Sequence, residues 1–581
     1  MNKLLKYKYW WVAALAIFVA IIYLSNNLRY RIDLTAEKRF TVSNATKAML
    51  KTIDSTVTIK LFLTGDLPAD YRKLANATQD LLNEFRDISH NQVKVEVEVP
   101  GDGLPDSART PIYDTLFKMG VSFEQNENVT QDNKTTNQLI IPSALVFYKN
   151  HRPIAVDLRS SRKVFKSYNV MNDLDPQENK EATLNSAEAL LEFKFADAID
   201  KLTREYVPSI SYLVGNGEPV DLTVADLGDI IKDNYHLNVT NLKTTYPDAR
   251  KTDLLLIVKP TVTFTDEDKL KLDQYVMHGG KIIWFVDKLF AEMDSLQRTE
   301  AGFVAFDRNL NLDDILFRYG VRINGDLLQD LSCSKIPLVI GQNADGSPRM
   351  QRIPFPYFPF LSTTNNNPIS KNLDRVLPLF PSSIDTVKAP GITKTILLAS
   401  DTNSRVLSSP AMVSLSSVQT DDDFRQFTKS FVPVAVLLQG KFTSLFANRL
   451  TPAIRDSVLR ASGQPFAQSN DTDTCQIVVA DADIVTNQVT KTTGPLPMGE
   501  LPMENYRFAN RDFYLNSIDY LVNTNGLFAL RNRDFTLRLL DKEKVAEGKT
   551  TWQFINIALP ILVIILFGLI YQWNRKRKFA L

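Results

Sequence analysis

Apolar residues are concentrated in two segments near the ends of the chain, and the long stretch between them is largely polar. A membrane-spanning helix needs about 20 apolar residues, and residues 552–573 supply them without a charge. Residues 10–27 form a shorter apolar run with Trp10 and Tyr23 at positions typical of interfacial aromatics. A cleaved signal peptide is the alternative for this run, but residues 24–27 lack the small residues of a cleavage site. We therefore predict two transmembrane helices.

Basic residues flank both predicted helices on the side of the chain ends. Residues 1–9 and the tail, residues 574–581, carry lysine and arginine, which favours the cytoplasm for both termini. The region between the helices is then extracytoplasmic, a two-pass arrangement. The flank after the first helix is also basic, so charge supports the orientation less strongly than hydropathy supports the two helices.

The pattern after a polar connector, residues 28–43, predicts a first α/β domain over residues 44–205. Apolar residues alternate in four segments and recur with helical spacing in three others. The predicted strands are residues 57–63, 93–99, 139–148 and 153–158, and the predicted helices are residues 69–88, 108–119 and 184–202. This order indicates a thioredoxin-like layout. No Cys-x-x-Cys motif is present, which excludes redox chemistry of the thioredoxin type.

A second α/β series covers residues 206–535. Short apolar runs at residues 209–214, 254–258 and 281–286 alternate with helical patterns, which indicates parallel strands of a doubly wound, flavodoxin-like sheet. Further strands are predicted at residues 395–399, 432–438, 442–446 and 477–480, and a last helix at residues 513–522. Residues 332–383 are rich in proline and asparagine and are interpreted as an insertion or a lid. Residues 536–551 form a juxtamembrane segment.

Composition limits the classes of partner and site. The 581 residues carry a net charge of +1 and no basic stripe, so nucleic acid is excluded as a partner. The 4 histidines are scattered without ligand spacing, and we predict no metal site. Cys333 and Cys475 can form a disulfide in an oxidising compartment or remain two unpaired thiols.

No motif predicts catalysis or a cofactor. The turn at Gly215 and Gly217 lacks the third glycine of a dinucleotide-binding loop, and residues 548–550 lack the rest of a phosphate-binding loop. No serine stands in a Gly-x-Ser-x-Gly elbow. The carboxylate pair Asp481 and Asp483 is explained more simply by loop solvation than by acid–base chemistry. We predict a protein that is not an enzyme.

Two regions are candidates for binding. The first is a crevice at the carboxyl ends of the second domain's strands, formed by Gly215, Asn216, Gly217, Glu218 and Asp287. The second is an aromatic, proline-rich segment, in which exposed rings would mark a partner contact. Its aromatic residues are Phe355, Tyr357, Phe358 and Phe360. Packing of these rings over their own domain is an equal alternative.

Three sequence blocks carry a family resemblance. They are residues 31–43 (RIDLTAEKRFTVS), residues 215–219 (GNGEP) and residues 510–521 (NRDFYLNSIDYL). With the two-helix plan, the chain resembles the gliding-motility-associated GldG family of ABC-transporter auxiliary proteins of Bacteroidota. The resemblance implies a bacterial inner-membrane protein whose periplasmic domain is similar to class I glutamine amidotransferases without their catalytic cysteine. It also implies a separate permease, a separate cytoplasmic ATPase and a link to gliding and type 9 secretion.

The predicted function is that of a non-catalytic auxiliary membrane subunit of an ABC-type transporter. Its periplasmic part would bind an unknown periplasmic partner or transmit ATPase-driven motion. The alternative is a membrane-anchored module that binds a glycan or a peptide without a permease.

Overall fold

The computed structural model describes most of the chain as a mixed α/β protein. The described residues are 15–19, 41–129, 135–159, 180–298, 302–342, 346–363, 365–415, 418, 420–492, 494–501, 506–523, 526–532 and 542–579. The chain divides into two compact units, Met1–Arg533 and Asp534–Leu581. The first predicted transmembrane helix lies outside the described residues except for residues 15–19, which are helical and exposed. The connector is described only from residue 41 onward.

The first part of unit one contains a four-stranded sheet with helices. Its strands are β1 (Val57–Leu61), β2 (Val93–Val97), β3 (Glu124–Val129), β4 (Thr135–Ile140), β5 (Ser143–Tyr148) and β6 (Ile154–Asp157), and its helices are α1 (Asn44–Lys51), α2 (Ala69–Ile88), α3 (Asp106–Lys118) and α4 (Lys180–Thr203). The sheet has the order β2-β1-β5-β6, and β3 pairs with β4 in a separate hairpin. Strand β2 is parallel to β1, and β5 is antiparallel to both β1 and β6.

Local sequence explains these elements. The Ser43 side chain accepts a hydrogen bond of 3.1 Å from the Thr46 N–H and so caps α1. Strand β1 alternates buried and half-buried residues, which matches its alternating sequence. The single strand predicted over residues 139–148 is wrong, because Pro142 cannot donate to a ladder and separates β4 from β5. The thioredoxin-like assignment of this part stays a prediction.

The second part of unit one contains a larger sheet and several small ones. Its strands are β7 (Ser209–Val214), β8 (His236–Asn241), β9 (Leu254–Val258), β10 (Ile282–Phe285), β11 (Leu289–Phe290), β12 (Phe303–Asp307), β13 (Val321–Ile323), β14 (Asp326–Asp330), β15 (Cys333–Gln342), β16 (Pro348–Pro359), β17 (Ile384–Thr386), β18 (Ile392–Ala399), β19 (Ser404–Ser408), β20 (Ala411–Val413), β21 (Pro433–Gly440), β22 (Thr474–Val479), β23 (Val489–Thr490) and β24 (Gly494–Pro495). Its helices are α5 (Ala225–Asn234), α6 (Asp266–Met277), α7 (Met293–Arg298), α8 (Asp313–Tyr319), α9 (Asp421–Phe424), α10 (Pro452–Ser462) and α11 (Asn510–Val522), with short 3-10 helices at Leu222–Val224 and Leu527–Asn532.

The seven-stranded sheet has the order β18-β21-β22-β10-β9-β7-β8. Its strands β22, β10, β9, β7 and β8 are parallel, and β21 runs antiparallel to β22 and β18. If the five parallel strands are numbered 1 to 5 in chain order, they lie across the sheet in the order 2-1-3-4-5. This is one of the common orders of doubly wound sheets. Strand β9 is buried along its whole length, as expected for a parallel strand that is covered on both faces. The amidotransferase-like assignment stays a prediction.

Two sequence predictions for this part are wrong. Residues 442–446 do not form a strand, because the Asp273 side chain on α6 binds the Ser444 hydroxyl at 2.6 Å and the Leu445 N–H at 2.9 Å. Within residues 332–383, the irregular structure predicted for the first half is wrong, since β15 and β16 pair there as a long hairpin. The interpretation of the whole segment as an insertion or a lid stays a prediction. A two-stranded hairpin tolerates proline because each strand has one free edge.

Of the two alternatives for the aromatic segment, the structure shows packing over its own domain, because the rings are buried in the core of their own region. The exposed fractions are 2% for Phe355, 0% for Tyr357, 2% for Phe358 and 7% for Phe360. Phe380 lies at the centre of this cluster, with its ring centroid 5.2 Å from that of Phe358. The hairpin therefore carries a core of its own, beside the core of the seven-stranded sheet.

Helix α4 connects the two parts of unit one. Phe195 and Ile199 belong to the core of the four-stranded sheet, and Phe193 belongs to the core of the seven-stranded sheet. On the same helix, the Lys201 ammonium lies 3.5 Å from Asp519 of α11. Both sheets therefore pack on one shared helix.

The described residues of unit two form a single helix, α12 (Lys542–Phe579), with Pro560 inside it. Its segment Thr551–Arg577 has a mean hydropathy of 2.6 in its most apolar window, and none of that window is buried. The predicted helix over residues 552–573 is thus present, and it is compatible with membrane association. The predicted juxtamembrane segment is helical from residue 542 and lies outside the described residues before it.

Candidate functional site

Polar residues that directly follow three neighbouring strands meet at one edge of the seven-stranded sheet. Lys259 follows β9, Asp287 follows β10 by two positions, and Asp481 and Asp483 follow β22. Adjacent parallel strands end at the same edge, which brings these side chains together. Carboxylate oxygens of the three aspartates lie within 4.8 Å of one another. We call these four residues the lysine–aspartate cluster.

The Lys259 ammonium lies among the carboxylates. Its Nζ is 2.6 Å from Oδ1 of Asp483 and 3.5 Å from Oδ2 of Asp287. The side chains of Asp287 and Asp483 are each 11% exposed, and Asp481 is 1% exposed. An ion pair this far from bulk water is screened little, so it fixes the ends of β9, β10 and β22 relative to one another.

Main-chain and hydroxyl donors hold the carboxylates in place. The Ala482 N–H donates to Oδ1 of Asp287 at 2.6 Å, and the Ile484 N–H donates to Oδ1 of Asp481 at 3.1 Å. Within the described residues, Oδ2 of Asp481 has no hydrogen-bond partner. Oδ2 of Asp287 also has none, but it lies 3.5 Å from the Lys259 ammonium, so Asp481 is the least compensated carboxyl of the cluster.

The pKa shifts follow from these surroundings. Burial, and then the charges of Asp483 and Asp287, raise the pKa of Asp481 well above its ordinary value. Burial also raises the pKa of Asp287, although Lys259 opposes that shift. Burial alone would lower the pKa of Lys259, but Asp483 and Asp287 outweigh it and raise that pKa. Lys259 is a permanent cation at neutral pH.

Three carboxylates are a set of oxygen ligands that a divalent cation can use. In this structure the Lys259 ammonium is the cation that they surround, at 2.6 Å from Asp483. A lysine in this position supplies the countercharge that a metal would supply. The contacts support a buried ion cluster that stabilises the edge of the sheet.

The loop after β7 forms a second polar group at the same edge. The Asn216 carbonyl accepts hydrogen bonds from the N–H groups of Thr261 at 2.9 Å and Val262 at 2.8 Å. A Cβ atom at Gly217 would lie 2.1 Å from Oγ1 of Thr261, so only glycine permits this approach of the two loops. The Asn216 N–H donates to Oε2 of Glu218 at 2.7 Å, and burial raises the pKa of Glu218.

The predicted crevice is therefore divided. Gly215, Asn216, Gly217 and Glu218 lie at the end of β7, whereas Asp287 lies after β10, with β9 between them. Two strand spacings separate these positions by about 10 Å. Asp287 instead lies beside Lys259 and Asp483. Lys259 was not predicted as a site residue, although its position directly after the buried strand β9 could have indicated it.

The two cysteines are free thiols. Cys333 is on β15 and Cys475 is on β22, which belong to different sheets. The disulfide considered from the sequence is not formed. Burial raises the pKa of the Cys333 thiol to about 12, which makes it unreactive at neutral pH.

An open cavity of about 560 Å³ lies apart from the lysine–aspartate cluster. Its lining includes the charged residues Arg322, Asp326, Asp385 and Lys429 and the exposed ring of Phe431. The Arg322 guanidinium is 2.6 Å from the Asp385 carboxylate, and Asp326 accepts a hydrogen bond of 2.7 Å from the Ser383 hydroxyl. The cavity thus offers both donors and acceptors.

The chain is similar to proteins with and without a solved structure. An uncharacterized protein of Borreliella burgdorferi is 20% identical over 571 residues, which cover 94% of each chain. The structure of the mmIFT52 N-terminal domain matches 54% of this chain and 97% of its own, with 12% identity and a TM-score of 0.30. The exo-beta-1,4-mannosidase Op5Man5 from Opitutaceae bacterium strain TAV5 matches 60% of this chain and 39% of its own, with 10% identity and a TM-score of 0.20. Both TM-scores are below 0.5, so neither similarity shows a common fold.

Two family models match the chain. Residues 36–147 match a domain of unknown function, DUF7088. Residues 207–517, more than half of the chain and including the lysine–aspartate cluster, match the auxiliary family described as an ABC-type uncharacterized transport system. The chain therefore belongs to this family of ABC-type transport system auxiliary proteins.

Proposed function

We propose that this protein is a non-catalytic auxiliary membrane subunit of an ABC-type transport complex, with a separate permease and a separate cytoplasmic ATPase. Its helix α12 packs against the permease in the inner membrane. Unit one lies in the periplasm, where it binds a partner or transmits the motion that the ATPase drives. By the GldG resemblance, the complex serves gliding motility and type 9 secretion.

The exposed apolar surface of α12 is the observation that carries this proposal. Trp552, Phe554, Ile564, Phe567 and Trp573 are each more than 60% exposed. A helix that is apolar on all sides needs a bilayer or neighbouring helices around it. Together with the transport family, this favours a subunit that is held among the membrane helices of a permease.

The lysine–aspartate cluster supports a non-catalytic role. Its lysine is ion-paired 2.6 Å from Asp483, and main-chain N–H groups occupy carboxylate oxygens of Asp287 and Asp481. A general base needs a free oxygen within reach of a substrate. Within the described residues, two buried oxygens of the cluster have no hydrogen-bond partner, Oδ2 of Asp287 and Oδ2 of Asp481. The first lies 3.5 Å from the Lys259 ammonium, and burial raises the pKa of Asp481, which disfavours its ionised form.

Co-purification tests the proposal. The tagged full-length protein, extracted from its native membrane in a gentle detergent, should bring down an ABC-type permease and an ATPase in stoichiometric amounts by mass spectrometry. The substitution Ile564→Lys places a charge in the middle of α12, which costs about 3 kcal/mol in a membrane helix, and should reduce this recovery. The matched variant Ile564→Leu should leave it unchanged. Recovery of the protein alone would contradict the proposal.

The second candidate is a membrane-anchored module that binds a glycan or a peptide without a permease. The cavity beside Arg322, Asp385 and Phe431 favours it, because it joins an exposed ring to paired charges. Thermal shift of the full-length protein against cell-wall fragments and glycans tests this function. A response that Phe431→Ala abolishes would support it, and a flat response would remove it.

A further inference from the structure

Three of the four edges of the two large sheets are protected against pairing with another chain. Strand β2 carries Lys94 and Glu96. At β6, the Lys194 ammonium binds the Asp157 carbonyl at 2.6 Å. Strand β18 is irregular in register, and its Ala399 pairs with Ser362. Charges, bulges and covering segments are the usual means of protecting an edge.

In the part of the chain that the structure describes, strand β8, the fourth edge, has none of these protections. Its sequence, HLNVTN, contains no proline and no Lys, Arg, Asp or Glu, and it pairs with β7 in an unbroken register. Val239 in this strand is 66% exposed. Within the described residues, β8 has no strand on its other side. A regular, uncharged edge of this kind is a template for another strand.

The hydrogen bonds show which main-chain groups are free. The N–H groups of His236 and Leu242 donate to carbonyls of Pro208 and Val214 on the β7 side. In a parallel ladder the N–H and C=O of alternate residues point to the same side. The N–H and C=O groups of Leu237 and Val239 therefore point away from β7, toward the open edge of the sheet.

The strand is complementary to itself in one antiparallel register. If the two-fold axis passes beside Asn238, then Leu237 of one copy lies opposite Val239 of the other, and the pair exchanges two hydrogen bonds. The two-fold axis generates a second, equivalent pair, Val239 of the first copy opposite Leu237 of the second, which exchanges two more hydrogen bonds. The exposed Val239 side chain then covers Leu237 of the other copy, on one face of the extended sheet. No charged residue of β8 opposes its own copy in this register.

We propose that β8 is a dimerisation edge, which pairs antiparallel with β8 of a second copy about a two-fold axis at Asn238. The pairing joins two seven-stranded sheets into one continuous sheet. This inference does not depend on the transport partners, since it concerns only the self-association of the chain.

Cysteine cross-linking of the full-length protein in its native membranes tests the register. In a non-hydrogen-bonded antiparallel pair the Cα atoms are about 4.5 Å apart, which permits a disulfide. Asn238→Cys should thus form a covalent dimer under mild oxidation. His236→Cys, whose copies would be about 13 Å apart, should stay at the level of the wild type with its two native cysteines. Equal cross-linking of both variants, or of neither, would overturn the proposal.

A second variant tests the dimer without a new thiol. Val239→Pro removes an N–H that points away from β7, so proline is tolerated at this edge of the folded chain. The purified full-length variant should show the thermal unfolding midpoint of the wild type but half its protein mass by light scattering in detergent. Val220→Pro, at another exposed position outside the strands, serves as the control and should remain dimeric. A monomeric wild type would overturn the proposal.

Discussion

Replacement of Lys259 by methionine should lower the free energy of unfolding by about 3–5 kcal/mol, the usual cost of removing one partner of a buried ion pair. Methionine fills a similar volume, so the loss reports the charge more than the packing. Without the ammonium, Asp287 and Asp483 face each other and Asp481 uncompensated at the edge of the sheet. Urea unfolding of the full-length protein in mild detergent measures the change.

Asp481→Asn is the matched control in the same cluster. The folded pKa of Asp481 is raised above its unfolded value, so its contribution to stability is present at low pH and is lost as pH rises through the folded pKa. Asparagine does not ionise. The free energy of unfolding of the Asp481→Asn variant, relative to that of the wild type, should therefore rise with pH from about pH 4 upward. A Lys259→Met variant as stable as wild type, or an Asp481→Asn variant without this trend, would contradict the assignment of charges.

Replacement of Phe358 by alanine should lower the free energy of unfolding by about 3–5 kcal/mol, because a large buried ring is removed. The Phe358 ring lies with its centroid 4.9 Å from that of Phe355 and 5.2 Å from that of Phe380. Such edge-to-face contacts are lost together with the buried apolar area. Urea unfolding under the same conditions measures the effect.

The control for this ring is Phe317→Ala. Phe317 is 54% exposed, and its removal should change the free energy of unfolding by less than about 0.5 kcal/mol. If Phe358→Ala unfolded like wild type but lost proteins that co-purify with the chain, the ring would act as a partner contact instead of a core residue.

Strands that are buried on both faces could be predicted from the sequence, because a continuous apolar run bounded by turns has few other uses. Strands β7, β9 and β10 are of this kind and occur where predicted. Strand β8 was not predicted, since a polar edge strand has no such run. Its assignment depends on pairing with β7, which only the fold supplies.

The sequence left the aromatic, proline-rich segment open between a partner contact and packing, because it shows the proline content but not what covers the rings. Local propensity disfavours a central strand there, yet a two-stranded hairpin needs only one paired edge. Distant residues such as Phe380 and Phe303 then complete its core. Tertiary packing, and not propensity, determines the burial of Phe358.

The candidate site was predicted in part. The principle that polar groups gather at the carboxyl ends of parallel strands selected Asp287, which lies in the lysine–aspartate cluster. The sequence could not pair it with Lys259 and Asp483, because strand order decides which ends are neighbours, and β22 lies about 190 residues after β10. The loop at Gly217 was selected too, but β9 separates it from Asp287.

Photo-cross-linking along α12 in native membranes shows whether this helix is held against a permease. A benzophenone amino acid is placed in turn at five consecutive positions, which sample all sides of the helix and are all exposed in the isolated chain: Ile561, Leu562, Val563, Ile564 and Ile565. If α12 is held against a permease, we expect adducts with one polytopic membrane protein. The reactive positions should lie on one helix face, three to four residues apart. Reaction with lipid alone at every position, and no protein adduct, would contradict this contact with a permease.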